Sequence, residues 1–416
     1  MQSSSNSIQN RVAVIGGGAA GLLCAAECAI AGAEVTLFEK NEKVGRKLAI
    51  TGKGRCNLTN DCTPDEFIGN VVSNPRFLLS ALYSFSPKDT MELFEGLGVP
   101  LKVERGRRVF PVSDKAYDIV DALWKYARTY ARIKQENVTD IKIEDGCVCG
   151  ITTDKASYSF DRVVVATGGK SYPLTGSTGD GYTFARRAGH TVTELSPSLV
   201  PLTSSSPACK ALMGLSLKNT SLKIIEDKTG RCVYEDFGEM LFTHFGLSGP
   251  MILSASSHLH KISPASCTAV IDIKPALDEK TLDAKLLTIF AEAKNRDFVN
   301  AITPLMPSKL AAFIPEYTGI DGKKKINEIT KEERRRLLEA LKSFRVKLTG
   351  TRPISEAIIT RGGVSVKEID PKSMQSKLVS GLYFIGEVLD LDAYTGGYNL
   401  QIAFSTAYAA AKDAAL

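Results

Sequence analysis

The chain opens with short apolar runs on either side of a segment of small residues, and this pattern predicts a βαβ unit. Residues 11–15 form an apolar run with β-branched side chains, which predicts a strand. Residues 19–31 are rich in Ala, Leu and Cys and predict a helix that stops at Gly32, and residues 34–38 predict a second strand. The unit has the length of about 30 residues that is usual for this motif.

Later parts of the chain return to the same kind of pattern. Apolar runs at 163–165 and 382–385 predict buried strands, and Ala-rich or amphipathic stretches predict helices over 182–188 and 400–411. After residue 190 the pattern of apolar and polar residues changes. Strand-like runs at 199–202, 221–225 and 269–273 are followed by a mostly helical pattern over 278–336, in which we expect breaks at Pro304, Pro307 and Pro315. We therefore predict an insert that begins near 191–195.

The loop of the first unit carries a dinucleotide-binding pattern. Gly16 permits a tight turn, Gly18 lets the backbone approach a diphosphate, and Gly21 lets the helix pack against the strand. The helix N-terminus at Ala19 and Ala20 offers free N–H groups to phosphates. Glu39 follows Gly21 by 18 residues, where a carboxylate can accept both ribose hydroxyls. The acid disfavours a 2′-phosphate, so the pattern predicts FAD or NAD.

Three more glycine-centred segments complete the predicted site. In residues 45–60 the cations Arg46, Lys47 and Arg55 are placed to offset a diphosphate. The strand end at 163–169 brings glycines close to the cofactor, and residues 386–401 lead into the last predicted helix. Because no second GxGxxG is present, we predict FAD as the tight ligand, and NAD(P)H only as a transient electron donor.

The last helix suggests how the flavin is held. In a doubly wound flavoprotein such a helix points its N-terminus at the flavin pyrimidine, which gains negative charge on reduction. The backbone N–H groups of Tyr398 and Asn399 are the natural donors, and Glu387 is expected near the ribityl-phosphate. Asp390 and Asp392 are interpreted as solvent-facing or loop-capping carboxylates.

Composition limits the class of protein. A chain of 416 residues with 44% hydrophobic and 24% charged residues predicts two or three domains with sizeable cores. The sequence has no apolar run long enough to span a bilayer and no basic-apolar leader, so we expect a cytoplasmic protein without a membrane partner. Its nine cysteines are expected to be reduced, and none stands at metal-ligand spacing, so we predict no metal site.

Charge is concentrated in one place. The formal net charge is +6, and residues 321–350 hold ten Lys and Arg against five Asp and Glu. A solvated helix face explains this excess, and the alternative is a patch for nucleic acid or an acidic substrate.

The string from Gly45 to Asn60 resembles the signature of the HI0933-like flavoproteins, which include the YhiN and BaiN proteins. Further matches occur at 176–181, 243–250, 360–364 and 381–387, so the resemblance covers nearly the whole chain. It implies an α/β fold, with a glutathione-reductase-type FAD-binding Rossmann domain interrupted by an inserted β-rich domain and a small helical domain. The expected segments are 1–192 and 353–416 for the FAD-binding domain, 193–275 and a return strand in 333–352 for the β-rich domain, and 276–332 for the helical domain.

The predicted site residues follow from the motifs and the resemblance together. The resemblance implies that the backbone of Val138, in a strand-like segment over 133–143, meets the adenine. No catalytic residue is identified, and His244 and Tyr172 are weak candidates. The predicted cofactor-binding set is Gly16, Gly18, Ala19, Ala20, Gly21, Glu39, Lys40, Arg46, Lys47, Gly54, Arg55, Asn57, Val138, Ala166, Thr167, Gly168, Gly386, Glu387, Gly397, Tyr398 and Asn399.

These observations favour a FAD-dependent oxidoreductase that transfers hydride through flavin N5. The favoured reaction is NAD(P)H-driven reduction of an activated C=C bond in a small molecule, such as an enone of the 3-oxo-steroid or bile-acid kind. The resemblance also allows an aminoacetone-like amine oxidase. A tRNA-modifying or RNA-binding flavoprotein and a non-catalytic FAD sensor remain as alternatives, although nucleic acid is not the partner we favour. The oligomeric state stays open.

Overall fold

The computed structural model describes residues 9–416, apart from the side chain of His260. The first eight residues of the predicted segment 1–192 lie outside the described residues. Contacts between Cα atoms divide the chain into two units: residues up to 198 together with those from 354, and residues 199–353. The predicted division into a FAD-binding, a β-rich and a helical domain stays a prediction.

A parallel sheet of five strands forms the centre of the first unit. The strands stand in the spatial order β20 (Leu382–Phe384), β10 (Arg162–Val165), β1 (Arg11–Ile15), β2 (Glu34–Glu39) and β6 (Arg132–Gln135). The apolar runs of β1, β10 and β20 are buried almost throughout, as expected for parallel strands covered on both faces. This sheet confirms the predicted α/β class with a Rossmann-like core.

Helices of the first unit surround this sheet. The small residues of α1 and α14 let these two helices pack closely, and both contribute to the same core as the sheet. The helices are α1 (Ala19–Ile30), α2 (Arg46–Ile50), α3 (Pro64–Ile68), α4 (Pro75–Ser84), α5 (Pro87–Gly96), α6 (Ala116–Tyr130), α7 (Asp180–Arg187) and α14 (Tyr398–Ala414).

Small antiparallel sheets complete the first unit. One contains β3 (Thr59–Asn60), β5 (Arg108–Pro111) and β4 (Leu101–Glu104); a second contains β7 (Val138–Glu144), β8 (Cys147–Thr153) and β9 (Ser157–Ser159); a third pairs β11 (Ser196–Ser198) with β19 (Ile359–Arg361). The prediction of one strand over 133–143 was therefore wrong. The chain leaves the parallel sheet after β6, and the Asn137 N–H donates to Asp154 Oδ1 before β7 begins.

The second unit is built on an antiparallel sheet of seven strands. Their spatial order is β17 (Phe344–Lys347), β16 (Cys267–Asp272), β13 (Ser216–Glu226), β14 (Cys232–Thr243), β15 (Gly246–Ser248), β12 (Leu202–Thr203) and β18 (Gly350–Thr351). Its helices are α8 (Pro207–Ala211), α9 (Pro250–His258), α10 (Glu279–Glu292), α11 (Phe298–Ile302), α12 (Ser308–Thr318) and α13 (Lys331–Lys342). Sheet and helices share one hydrophobic core.

One local expectation for this unit needs correction. Pro315 lies inside α12 and does not break it, because Leu310, Ala311 and Ile314 bury one face of the helix and hold it in place. The helix ends at Gly319 in the left-handed region instead. The segment 333–352, expected to hold a return strand, contains most of α13 and then the strand β17. None of the described helices is long and apolar enough to cross a membrane.

Candidate cofactor site

The first loop has the geometry that a dinucleotide requires. Gly16 has φ +107°, and a Cβ atom there would lie 2.6 Å from the carbonyl oxygen of Ala166. A Cβ atom on Gly21 would lie 1.9 Å from the carbonyl oxygen of Gly16. Only glycine fits at these two positions, which supports the tight-turn and close-packing interpretation of both residues.

Gly18 differs from its neighbours because space is open beside it. A Cβ atom there would have no heavy atom within 4 Å, and Gly18 caps α1 without a side-chain acceptor. The first turn of α1, which starts at Ala19 and Ala20, contains no acidic residue. Free N–H groups and the positive end of the helix dipole therefore face a space that suits a phosphate.

The Glu39 carboxylate lies at the edge of this loop. It is buried, and Oε2 accepts a hydrogen bond of 2.7 Å from the Gly17 N–H, while Oε1 accepts one of 2.8 Å from the Asn41 N–H. These bonds fix the carboxylate at the end of β2 beside the glycine turn. At this position a carboxylate accepts hydrogen bonds from the ribose hydroxyls of a bound dinucleotide.

The predicted cations beside the loop have protein partners. Lys40 Nζ lies 2.6 Å from Thr178 Oγ1 and from Asp180 Oδ2, and Arg46 donates to Asn41 Oδ1 over 3.0 Å. Both stay accessible, so a role at the diphosphate stays a prediction.

Arg55 is differently placed. It forms ion pairs with Glu104 and Asp114, and its guanidinium carbon lies 4.2 Å from the centre of the Phe110 ring. Two carboxylates already match its charge, so the surroundings of Arg55 favour a structural role. Its predicted part in cofactor binding is untested.

The loop that follows α2 contains backbone in the left-handed region. Lys53 has φ +59° and Gly54 has φ +83°, and a Cβ atom on Gly54 would meet nothing within 4 Å. Lys53 adopts a conformation that favours glycine and costs about 1 kcal/mol for other residues. Asn57 Oδ1 in this loop is buried, and no described group donates to it.

The strand end after β10 supplies the third segment. Ala166 is buried, Thr167 Oγ1 is buried without a partner among the described residues, and Gly168 has φ +70°. A buried hydroxyl and a buried amide oxygen without partners are costly, and bound polar groups would satisfy them. Together with the open spaces and the uncapped helix ends, they make a donor and acceptor set that fits FAD.

An ion-pair network joins two of the glycine segments to residues near them in space. Lys47 Nζ lies 2.6 Å from Glu387 Oε2 and donates to Ser171 Oγ over 2.7 Å. Glu387 Oε1 accepts from the Thr360 N–H at 2.9 Å and from Ser171 Oγ at 3.1 Å. Sequence reasoning missed Ser171 and Thr360. Thr360 lies in the 360–364 match, which was the available signal, and nothing in the sequence marks Ser171.

The last segment presents a second uncapped helix. Gly397 has φ +98° and caps α14 without a side-chain acceptor, so the N–H groups at Tyr398 and Asn399 begin the helix. Gly386 has φ +70° and its N–H donates to Thr406 Oγ1 at 3.0 Å. The Asn399 side chain accepts from the Ala393 N–H at 2.9 Å and thereby holds the preceding loop.

A buried polar cluster lies in that loop. The Asp392 carboxylate is completely buried, and it accepts from Ser73 Oγ at 2.5 Å and Ser198 Oγ at 2.8 Å. Arg361 NH2 lies 3.4 Å from Asp392 Oδ2. Burial raises the pKa of Tyr394. The positive charge of Arg361 lowers this pKa and the negative charge of Asp392 raises it, and both effects are smaller than that of burial. Of the two interpretations of Asp392, solvent-facing or loop-capping, the solvent-facing one was wrong, because residues distant in sequence enclose the carboxylate.

The remaining predicted residues fall in different places. Val138 is buried at the start of β7 and pairs with Thr153. Tyr172 is half-buried with φ +50°, and burial raises its pKa. His244 is exposed in the turn between β14 and β15 and belongs to the second unit. A catalytic role for Tyr172 or His244 stays a prediction.

The parallel sheet, the glycine turn, the acid at the end of β2 and the two glycine-capped helix N-termini define a dinucleotide-binding Rossmann protein, with a site that suits FAD. Within that class, the chain belongs to the HI0933-like family, because the model described as "HI0933-like protein Rossmann domain" matches residues 10–413.

Two curated relatives are similar over almost the whole chain. The 3-dehydro-bile acid delta(4,6)-reductase of Clostridium scindens is 31% identical over 98% of this chain and 99% of its own. The ribosomal RNA dihydrouridine synthase of Haemophilus influenzae is 33% identical over 96% of each chain. These matches and the family confirm a FAD-dependent oxidoreductase.

A solved structure shows the same fold. The 3-ketosteroid-Δ4-(5α)-dehydrogenase of Rhodococcus jostii RHA1 aligns with a TM-score of 0.54 at 15% identity, covering 100% of this chain and 99% of that one. At this identity the likeness concerns the fold.

Proposed function

We propose that this chain reduces a carbon–carbon double bond that is conjugated to a carbonyl group. One observation carries the proposal: two relatives with very different substrates, by their names, share this bond type. A 3-oxo bile acid with a Δ4 double bond is an enone, and a dihydrouridine arises when the C5–C6 bond of uracil, conjugated to its C4 carbonyl, is reduced. The shared chemistry suits one flavin site with different substrate pockets.

The site supplies what such a reduction needs from the protein. When bound, FAD supplies the hydride at flavin N5. The N–H groups at the start of α14 stabilise negative charge near them through the helix dipole. The Lys47–Glu387 pair, with Ser171 and Thr360, fixes the glycine segments relative to one another.

The second half of the reaction is delivery of a proton to the α-carbon. Tyr394 is the residue we favour for this role, because its side chain is partly buried in the loop that leads to the cap of α14, three residues away. A phenol is protonated at neutral pH and can donate a proton. The buried Asp392 holds this loop by accepting from Ser73 and Ser198.

Replacement of Tyr394 by Phe tests this role. We expect kcat to fall by about a hundredfold, within the range usual for loss of a general acid, with FAD content unchanged. Tyr126→Phe is the matched control, since Tyr126 is also partly buried with a raised pKa and is not among the candidate site residues. Equal activity of Tyr394→Phe and wild type would assign the proton to another group.

The reaction itself is tested by anaerobic turnover with NAD(P)H. We expect consumption of a 3-oxo-Δ4-steroid or of uridine in RNA, with a saturated product identified by mass. NAD(P)H would bind transiently, since the sequence has no second dinucleotide fingerprint. If amines bleach the flavin and form peroxide in air, while neither unsaturated substrate is reduced, the chain is an amine oxidase and the proposal fails.

Uridine in RNA is the second candidate substrate, and the distribution of charge favours it. The first unit contains equal numbers of cationic and anionic residues, 29 of each, whereas residues 199–353 contain 23 Lys and Arg against 17 Asp and Glu. The net positive charge of residues 199–353 suits a polyanionic substrate better than an apolar steroid.

A further inference from the structure

Residues 294–347 carry the whole net positive charge of the chain. They contain 13 Lys and Arg against seven Asp and Glu, and the rest of the chain contains 39 of each sign. The excess of six in this segment therefore equals the formal net charge of +6. The long-range attraction of the protein for anions originates here.

Two stretches of this segment pair to form a ribbon. Residues 294–299, which end in the first residues of α11, and residues 322–327 lie side by side and are joined by backbone hydrogen bonds around one antiparallel bridge; we call this pair the basic ribbon. The Phe298 N–H donates to the Lys324 carbonyl at 2.8 Å, and the Ile326 N–H donates to the Arg296 carbonyl at 3.1 Å. Asp297 and Lys325 form the antiparallel bridge between them. The ribbon thus brings together cations that lie about 30 positions apart in sequence.

The ribbon is anchored in the core of the second unit. Phe298 is completely buried and Ile326 is 3% exposed, and both belong to the single hydrophobic core of that unit. Buried anchors on both stretches keep the backbone fixed. The charged side chains between them therefore project from a rigid base.

Five cations belong to the ribbon, and only two of them have partners in ion pairs. Lys324 Nζ lies 2.8 Å from Glu333 Oε1, and Lys325 Nζ lies 2.8 Å from Asp297 Oδ1. The side chains of Lys294, Arg296 and Lys323 are exposed, and none forms an ion pair with a described carboxylate. These three exposed cations lie on two neighbouring stretches of backbone and repel each other, and an anionic ligand removes that repulsion.

We propose that the basic ribbon binds the phosphate backbone of RNA. A surface ribbon offers no enclosed cavity for a single anion, and spaced Lys and Arg side chains suit successive phosphates. The inference rests on the proposed function, because RNA is a substrate only if the reduced double bond is that of a uracil. It adds the place where that substrate docks.

Charge reversal on the ribbon tests the inference in the FAD-loaded protein. The ribbon variant carries Lys294→Glu, Arg296→Glu and Lys323→Glu. The control carries Lys218→Glu, Lys228→Glu and Lys280→Glu, three exposed lysines of the same unit outside residues 294–347. Binding of a fluorescein-labelled, uridine-rich single-stranded RNA is followed by anisotropy at several salt concentrations. Circular dichroism and flavin content establish folding, and a triple Gln variant replaces the triple Glu variant if the latter does not fold.

The inference predicts that the ribbon variant binds RNA at least about tenfold more weakly, and that the slope of log affinity against log salt falls by about 2 for three lost contacts. The control should keep wild-type affinity within about twofold. Equal weakening in both variants, or wild-type binding to phosphatidylserine vesicles but not to RNA, would overturn it.

Failure of the proposed function gives a different result. In that case the protein still binds RNA through the ribbon, but neither uridine nor an enone reoxidises its reduced flavin. The two measurements use the same protein and are independent.

Discussion

Individual residues decide whether the glycine loop can hold a diphosphate, and Gly18 gives the sharpest test at this scale. The backbone of Gly18 has φ −84°, which alanine adopts, and the space beside it is open. Gly18→Ala should leave the stability of the apoprotein within about 0.5 kcal/mol of wild type. The added methyl group occupies the approach to the α1 N-terminus, so FAD affinity should fall by about tenfold or more.

Fluorescence titration of the apoprotein with FAD measures this effect. Gly96→Ala is the control, because a Cβ atom there also meets nothing within 4 Å and Gly96, the last residue of α5, belongs to none of the glycine segments. Undiminished FAD affinity in Gly18→Ala would place the diphosphate elsewhere.

The Lys47–Glu387 pair gives a second prediction at the residue scale. The side chains are 22% and 14% exposed, so removing one partner leaves a poorly solvated charge. Lys47→Met should cost about 2 kcal/mol of apoprotein stability, and Glu387→Gln should cost a similar amount. The double variant should lose clearly less than the sum of the two, with a coupling of about 1 kcal/mol. Urea unfolding of all four proteins measures the coupling, and additive losses would show that the pair is not coupled.

The residues that sequence reasoning found are those whose role is local. Gly16, Gly18 and Gly21 belong to one turn, and their spacing is sufficient to identify them. Sequence reasoning missed Ser171 and Thr360 and did not foresee the burial of Asp392, because the partners of these residues lie far away in sequence. Ser171 meets Lys47, and Asp392 meets Ser73 and Ser198. Only the fold brings such residues together.

Among the helices and strands, some follow from local sequence patterns and others depend on tertiary contacts. The first βαβ unit and α14 follow from strong local patterns, and the structure places their ends within three residues of the prediction. The break after β6 and the continuous α12 around Pro315 do not follow, because pairing with β8 and burial of Leu310 and Ile314 override the local signals. Tertiary contacts decided both cases.

His190, in the connection after α7, contacts other elements in a way that we expect to depend on pH. His190 is buried against Phe384 of β20, with ring centres 5.0 Å apart, and its Nε2 lies 2.7 Å from Ser376 Oγ. Burial lowers the pKa of His190 below its ordinary value, and Glu368 at 3.2 Å offsets this only in part. Because the pKa of His190 is lower in the folded than in the unfolded protein, burial of the neutral ring contributes to stability above about pH 6.5. This contribution is lost as the pH falls further, because the unfolded protein then binds the proton more readily.

Unfolding of the apoprotein at several pH values tests this contact. The free energy of unfolding of wild type should fall between pH 7.5 and 5.5, and His190→Gln should weaken that dependence, by about 1.4 kcal/mol for each unit of lowered pKa. The lowered pKa of Glu368 acts at more acidic pH and does not enter this window. His244→Gln, at an exposed histidine, is the control. An unchanged pH dependence in His190→Gln would refute the assignment.

The whole molecule combines a neutral flavin-binding unit with a cationic one. Family membership and the fold make it a FAD-dependent oxidoreductase, and the names of its relatives suggest the bond on which it acts. Sequence reasoning reached the cofactor because the glycine segments are local. It reached only a class of substrate, because specificity depends on side chains that the fold assembles.

Reduction of a conjugated double bond is the central claim, and one anaerobic experiment tests it most directly. The FAD-loaded protein is reduced photochemically and mixed with 4-androstene-3,17-dione or with uridine-containing RNA, and the absorbance band of oxidised flavin is followed. We predict that the band returns with one equivalent of one unsaturated substrate, and not with its saturated counterpart. A band that stays bleached with both substrates would contradict the claim.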